Sequence, residues 1–372
     1  MAEKDLMFLC AFTFKTEENL SDKTFEQLRH TFTELNLESF KVTRTRAQFL
    51  ASFKPVLYDC CINSCCCFVG PWKNKQEGFH CNKPCFNAQG KPRKRFTYIP
   101  LIPRLITYFK NPELVKQMKY RHLFKNDPNC MKDIFNSSNY NTLHNAHVII
   151  GGEKQTHKYF EDPRDIMLGL STNGFAPFKK QKHTCWPLII FNYNLPLDIR
   201  FLIQHIICIG VIPGPKKPKY FDSFLWLLVE ELLELSLGVQ AFDVTTAAMF
   251  SLWAFLILTF GDMLAISMVM HMKGHNGIIP CRMCLIKVIR IPGSRSSTHY
   301  VPLDHSQHSD VRQSPTKIKK YNSANLPLWT HAKFMDHARQ AQFAETAAKE
   351  ECIAKSTNKP RDHCMVQCTT HN

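Results

Sequence analysis

The sequence has little of several features that define whole classes of proteins. It has 31 acidic residues against 47 lysines and arginines, so its formal net charge is +16. Its best apolar run, residues 247–260, is shorter than the roughly 20 residues of a membrane helix. The N-terminal apolar run is very short and flanked by charges, unlike a secretion signal. We therefore expect neither a membrane-spanning nor a secreted protein.

The positive charge indicates a polyanionic partner, and nucleic acid is the usual one. A basic surface that contacts only water would give the same composition. Apolar residues make up 44% of the chain and 28 residues are phenylalanine, so a sizeable core can be buried and wholesale disorder is excluded. Six of the 16 cysteines lie between residues 60 and 81, which favours reduced thiols, some on a metal, over a disulfide framework.

Composition shifts along the chain predict six regions. The first is helical, the second is dense in cysteine, proline and glycine, and the fourth has the clearest strand and helix patterns. The predicted regions are a helical N-terminal region (1–55), a zinc-knuckle-like segment (56–90), a basic and helical linker (91–160), a partial core (161–275), a CxxC-containing insertion (276–352) and an unrelated tail (353–372).

The order of elements in the fourth region carries the fold prediction. Three short strand-like runs are followed by a helix and then by a fourth buried run. Short connections allow antiparallel pairing of the first three, and the helix allows a crossover. We therefore expect an α/β fold with a partial ribonuclease-H-like core, a mixed sheet with helices. The runs are residues 165–171, 186–193 and 201–212, the helix 221–237, and the fourth run 250–260.

In that fold one carboxylate lies on the first strand and another at the end of the fourth. The second location falls on Asp262, and the first falls on Asn173. Clustered carboxylates hold two Mg²⁺ ions in phosphoryl transfer, and neutral amides are much weaker ligands. A strand-end aspartate is also a common turn or cap residue.

Outside the cysteine-rich segment lies a second cysteine pair, Cys281-x2-Cys284. It is compatible with a metal site or with two structural cysteines in a turn flanked by proline. A site would take a histidine such as His275, His299 or His305 as a further ligand.

Long stretches of the sequence resemble the transposases of fungal CACTA (En/Spm-like) elements. They include YDCCINSCCCFVGP, YFEDPRDIMLGLSTNGFAPFKKQKHTCWPLIIFNYNLP and GHNGIIPCRMC, and the resemblance runs from about residue 10 to about residue 353. It implies a ribonuclease-H-like enzyme that uses an acidic triad with Mg²⁺ or Mn²⁺ to cut and join element ends. The implied partner is DNA and the implied compartment is the nucleus, with self-association left open, no membrane and no small-molecule substrate.

The resemblance also implies which site residues have changed. The first acid is expected in a motif like LSTDGFAPF, where this chain has Asn173. The second acid maps to Asp262, and the third is expected further downstream than this sequence reaches. Whether the chain is an enzyme is therefore uncertain, and we expect that it cannot catalyse transposition alone.

The same pattern implies a zinc site in the cysteine-rich segment. Cys61 and Cys65 form the first ligand pair, and the second pair falls on Gly78 and Cys81, so that one ligand is missing. A replacement fourth ligand would be His80 or Cys85; otherwise the site is broken.

Clusters of basic residues form the candidate DNA-binding surface. Each contact with a phosphate adds affinity that depends on salt and not on sequence. The first cluster also resembles a nuclear import signal. The alternative is ordinary solvated loops. The candidate residues are Lys91, Arg93, Lys94, Arg95, Lys179, Lys180, Lys216 and Lys217.

The sequence thus predicts a degenerate, truncated transposase whose intact relatives cleave DNA and transfer strands by two-metal chemistry. Two alternatives stay open: a non-enzymatic zinc- and DNA-binding protein retained by its host, or the functionless product of a pseudogene.

Overall fold

The structure is a computed structural model that describes most of the chain. No helix among the described residues is long and apolar enough to cross a membrane. The expected unrelated tail, apart from its first residue, lies outside the described residues. These are 2–51, 53–78, 80–127, 129–177, 183–274, 277–290, 299–308 and 319–344, with the single positions 346, 348, 349 and 353.

The described chain contains both helices and strands, and begins with three helices. The helices are α1 Glu3–Glu17, α2 Asp22–Thr31, α3 Phe40–Leu50, α4 Ile102–Tyr108, α5 Pro112–Met118, α6 Tyr120–Leu123, α7 Ser138–Asn145, α8 Leu197–Arg200, α9 Asp222–Leu237, α10 Met263–Val269 and α11 His331–Gln342. The strands are β1 Val56–Asp59, β2 Arg95–Tyr98, β3 His147–Ile150, β4 Glu153–Lys158, β5 Ile166–Thr172, β6 Trp186–Asn192, β7 Ile207–Ile212, β8 Val239–Asp243, β9 Ala248–Leu252, β10 Ala254–Phe260, β11 Ile289–Arg290 and β12 His299–Tyr300.

A six-stranded mixed sheet forms the centre of the molecule. Its strand order is β1-β2-β7-β6-β5-β10. Strands β5, β6 and β7 pair antiparallel, and β10 returns parallel to β5 after helix α9. The protein is therefore a mixed α/β structure, as the sequence predicts, with the expected order of three strands, a helix and a further strand.

Two of the predicted strands have different bounds in the structure. The third begins at Ile207, because residues 203–205 form a short 3-10 turn after α8. The predicted run 250–260 is divided at Trp253 into β9, which pairs with β8, and β10, which pairs with β5. Both halves are apolar, so the sequence does not reveal that they belong to different sheets.

The central sheet is covered on both faces. Side chains of β5 alternate between two cores, with Ile166, Leu168 and Leu170 in one and Met167 in the other. Such burial on both faces produces a continuous apolar run. The second face is covered by α7 and the β3–β4 hairpin. Both lie within the region 91–160, which the sequence predicts to be a linker. The apolar residues of the stretch 126–157 are too widely spaced to give a periodic pattern.

The cysteine-rich segment is continuous with the central sheet. Its first residues form β1, the outermost strand, and β2 follows it as the next strand inward. The segment therefore leaves the sheet at Cys60 and returns at Lys94. It is anchored to the start of α9, because Ser223 Oγ accepts a hydrogen bond from the Cys67 N–H at 2.8 Å.

Candidate functional site

The ends of the two parallel strands β5 and β10 place Asn173 and Asp262 side by side. The last registered pair is Ser171 with Phe260, and the two side chains follow it. A Cβ on Gly261 would lie 2.7 Å from the carbonyl oxygen of Thr172, so the strand ends are in close contact. Both candidate positions are exposed at this edge of the sheet.

The donor set at this edge does not fit a two-metal centre. The Asp262 carboxylate is the N-cap of α10 and accepts a hydrogen bond from the Ala265 N–H at 2.6 Å. Asn173 supplies only a neutral amide. Within the part of the chain that the structure describes, Asp262 belongs to no group of three metal-capable side chains. Two bridged cations require clustered negative charge, which these residues do not supply.

Three thiols meet in the cysteine-rich segment. The sulfur atoms of Cys61, Cys65 and Cys81 lie within 4.8 Å of one another, and Cys61 Sγ is 3.3 Å from Cys81 Sγ. A tight turn at Ser64, whose φ is +57°, brings the first two together. A second turn, in which the Gly78 carbonyl accepts from the Cys81 N–H at 3.1 Å, adds the third.

Gly78 faces this three-thiol cluster. A Cβ at that position would lie 2.5 Å from Cys61 Sγ and 3.0 Å from Cys81 Sγ. Burial and the neighbouring thiols raise the pKa of Cys65. Burial acts the same way on Cys81, but the Lys83 N–H and the adjacent thiols outweigh it and lower the pKa of Cys81. Position 78, where the expected ligand is missing, therefore lies against the three-thiol cluster.

Neither expected substitute joins the cluster. The His80 ring packs on Tyr220, with 4.9 Å between ring centroids. Cys85 is buried, its Sγ donates to the Lys75 carbonyl at 3.9 Å, and burial raises its pKa to about 11. Neither side chain is among the metal-capable group, so the structure places no fourth protein ligand in the described part of this segment.

The second cysteine pair lies in a separate turn. Cys281 Sγ accepts a hydrogen bond from the Met283 N–H at 3.3 Å, and Cys284 is buried. The described residues give this pair no third metal-capable partner, and His305, although buried, does not join it. The side chains of His275 and His299 lie outside the described residues.

The candidate DNA-binding residues divide into two kinds. Lys94 is half-buried: its ammonium hydrogen-bonds the Gly214 carbonyl and lies 3.4 Å from Ser64 Oγ, and burial lowers its pKa. Arg95 pairs with Asp59 at 3.4 Å. These two residues hold the edge of the sheet together. Lys179 and Lys180 lie outside the described residues. Lys91, Arg93, Lys216 and Lys217 are exposed, and Arg95 is half exposed beside Asp59.

One further polar pair lies near this edge, and no pattern in the sequence predicts it. His271 Nε2 lies 2.8 Å from Asp222 Oδ1, and the two side chains are 18% and 7% exposed. Asp222 is the first residue of α9 and His271 follows α10. The pair is separated by 49 residues, so only the return of the chain along β10 brings it together.

Comparison with known protein families adds one finding. Residues 152–328 match the model of the Transposase family tnp2. The matched segment contains the strands β5, β6, β7 and β10 together with Asn173 and Asp262. No curated protein matches the chain. The match supports a transposase-derived protein and, through the family, contact with DNA.

Proposed function

From the similarity of residues 152–328 to the tnp2 transposases, we propose that this protein is a degenerate CACTA-type transposase of a fungal element that binds DNA without cutting it. The observation that carries the proposal is that a neutral Asn173 and Asp262 come two residues after Ser171 and Phe260 respectively, which are the last registered pair of the parallel strands β5 and β10. The sheet places these two side chains where two-metal chemistry needs carboxylates, but Asn173 carries no negative charge.

The topology supports a partial ribonuclease-H-like core. Three antiparallel strands, a helix and a strand parallel to the first are the elements that such a core requires in this order, and β5, β6, β7, α9 and β10 follow it. The carboxyl ends of the parallel strands open at one edge of the sheet, where a substrate strand can approach.

The loss of cleavage follows from charge. In two-metal phosphoryl transfer, carboxylates hold Mg²⁺ or Mn²⁺ so that one ion activates the attacking oxygen and the other stabilises the leaving oxygen. Asn173 adds no negative charge, and Asp262 caps α10. The exposed basic residues retain the capacity to bind the DNA backbone. Because DNA is the proposed partner, we also propose that the protein acts in the nucleus.

The test is a nicking and strand-transfer assay of the purified chain with element-end DNA and Mg²⁺ or Mn²⁺. We expect binding in a mobility-shift assay of the same sample and no metal-dependent product. The matched variants are Asn173→Asp, which restores the missing charge, and Asp262→Asn, which removes the remaining one. Robust cleavage by the unaltered chain that Asp262→Asn abolishes would overturn the proposal, because it would show a working metal centre.

A second candidate function rests on the three-thiol cluster. We propose that Cys61, Cys65 and Cys81 hold a Zn²⁺ ion as thiolates, which would fix the cysteine-rich segment against the sheet edge in a zinc- and DNA-binding protein kept by its host. Thiolates are the preferred ligands of structural zinc, and the measured spacing of the sulfur atoms suits one shared ion. A closed structural site has four ligands, so this one is short of one protein ligand.

Gly78→Cys is predicted to complete that site, because position 78 faces the cluster. The new Cβ would lie 2.5 Å from Cys61 Sγ, so the Cys61 side chain must shift to admit it. We expect about one equivalent of zinc by elemental analysis and at least tenfold tighter retention against a competing chelator than in the unaltered protein. Cys61→Ser should abolish binding. The control, Cys85→Ser, removes a thiol outside the cluster and should leave zinc content unchanged; an equal loss in both variants would contradict the assignment.

A further inference from the structure

A cleft lined by lysines opens beside the Asn173–Asp262 edge. It has a volume of about 350 Å³ and lies between the loop before α9 and the segment after α10. We call it the lysine cleft. The residues that matter for its chemistry are Lys217, Lys219, Lys273, His271 and Trp186.

The cleft carries excess positive charge. Lys217 and Lys219 are exposed and Lys273 is half-buried. None of the three has a carboxylate partner in the part of the chain that the structure describes. The described residues that line the cleft include no acid, and His271 on its wall lies 2.8 Å from Asp222 Oδ1. Three ammonium groups around a concave surface focus the potential and attract an anion.

Trp186 connects the cleft to the candidate catalytic edge. It is the first residue of β6, and a Cβ on Gly174 would lie 2.6 Å from its ring carbon Cζ2. Gly174 follows Asn173 directly, so the indole lies between the two features. Trp186 is 7% exposed, and its buried Nε1–H has no hydrogen-bond partner among the described residues. A buried donor without an acceptor is costly, and an oxygen of a bound anion could accept from it.

We propose that the lysine cleft binds a backbone phosphate of the DNA strand that approaches the Asn173–Asp262 edge. The proposal rests on the proposed function, and it adds the place where the strand leaves that edge. Lysine ammonium groups bind phosphate as point charges and do not read sequence, so the contact positions the strand without specifying it.

The first test maps lysine protection in the full chain. The protein is acetylated with a limiting amine-reactive ester, with and without a 30-base-pair duplex, and modified lysines are quantified by mass spectrometry. We expect the duplex to reduce modification of Lys217, Lys219 and Lys273 at least threefold. Modification of Lys154 and Lys158, exposed on the β3–β4 hairpin, should not change.

The second test measures affinity and its salt dependence by fluorescence anisotropy. Lys217→Gln/Lys273→Gln should weaken binding severalfold at low salt and reduce the slope of log Kd against log salt by about 1 to 2. The matched control, Lys154→Gln/Lys158→Gln, removes the same charge and should change neither value. Trp186→Phe keeps an aromatic ring and removes the indole N–H. It should weaken binding less than the double lysine substitution does.

The outcomes separate the two proposals. Binding of DNA without protection in the cleft would overturn this inference and leave the proposed function standing, whereas no binding at all would overturn both. An inorganic phosphate arm distinguishes the source of the anion. If millimolar phosphate protected the three lysines as well as the duplex did, the cleft would be a site for a small anion and the assignment to a DNA strand would be wrong.

Discussion

At the scale of single residues, the buried charges of this protein are nearly all compensated. Arg200 and Asp133 form a pair at 2.8 Å with side chains 1% and 3% exposed. The buried Arg121 guanidinium donates to the carbonyls of Phe160, Asp162 and Asp165. Removing one member of such a group would leave the other buried and unpaired, which costs about 3–5 kcal/mol.

One exception among the described residues is the side chain of Asp165, immediately before β5. One carboxylate oxygen accepts from the Asp162 N–H at 3.1 Å, and the other is buried without a partner among the described residues. Burial raises the pKa of Asp165 to about 7. In the unfolded chain the same group has its ordinary pKa near 4.

This difference predicts how stability depends on pH. Between about pH 4 and 7 the folded state keeps a proton that the unfolded state has released, so the free energy of unfolding falls as pH rises through that window. Because one pKa unit corresponds to about 1.4 kcal/mol, the fall is on the order of 2–4 kcal/mol. Asp165→Asn should remove it, as urea titrations at several pH values would show. Asp198→Asn, at an exposed site, should leave the pH dependence intact; an unchanged slope in Asp165→Asn would contradict the assignment.

At the scale of elements, polar side chains fix where helices begin. Asn111 is the N-cap of α5 and accepts from the N–H groups of Glu113 and Leu114 at 2.9 and 3.3 Å. Glu231 of α9 acts on a different helix. Its carboxylate accepts from the Leu101 and Ile102 N–H groups and so caps α4 from another element.

The local cap gives a clear prediction. Asn111→Ala should lower the free energy of unfolding by about 1 kcal/mol, because two N–H groups at the start of α5 lose their acceptor. Chemical denaturation measures the change. Asn111→Asp retains an acceptor oxygen and should lose little, so an equal loss in both variants would show that the cap is not the cause.

At the scale of the whole molecule, only part of the positive charge is available to a partner. The formal charge of +16 does not all face solvent as free cations, because Lys94 and Arg95 are used within the structure. Five of the candidate DNA-binding residues remain exposed. Arg95 is paired with Asp59, and the other four have no carboxylate partner among the described residues: Lys91, Arg93, Lys216 and Lys217.

The exposed set predicts the salt dependence of DNA binding. With Lys219 and Lys273 of the lysine cleft, the four exposed residues without a carboxylate partner make six phosphate contacts, and at about 0.9 per contact they give a slope of about 5 for log Kd against log salt. Binding should depend little on the sequence of the duplex, since these contacts are to its backbone. Anisotropy titrations between about 50 and 200 mM salt measure the slope. A slope near zero would contradict binding through these residues. So would affinities that differ strongly between duplexes of unrelated sequence.

The sequence by itself determined the local features of this protein. Capping residues, strand-like runs and the helix 221–237 are set by neighbours a few positions apart, so patterns predicted the element order that the structure has. The alignment with familiar motifs located Asn173, Asp262 and the positions of the thiols. The element order needed residue types and spacing only, whereas the site positions also needed the resemblance to a family.

The tertiary structure alone decided which distant residues meet. Division of the run 250–260 between two sheets, burial of β5 on both faces and the capping of α4 by Glu231 all depend on contacts between residues far apart in the chain. The same is true of the three-thiol cluster, from which His80 and Cys85 are absent, and of the lysine cleft. Such contacts leave no periodic trace, because they are fixed by how whole elements pack and not by the preferences of adjacent residues.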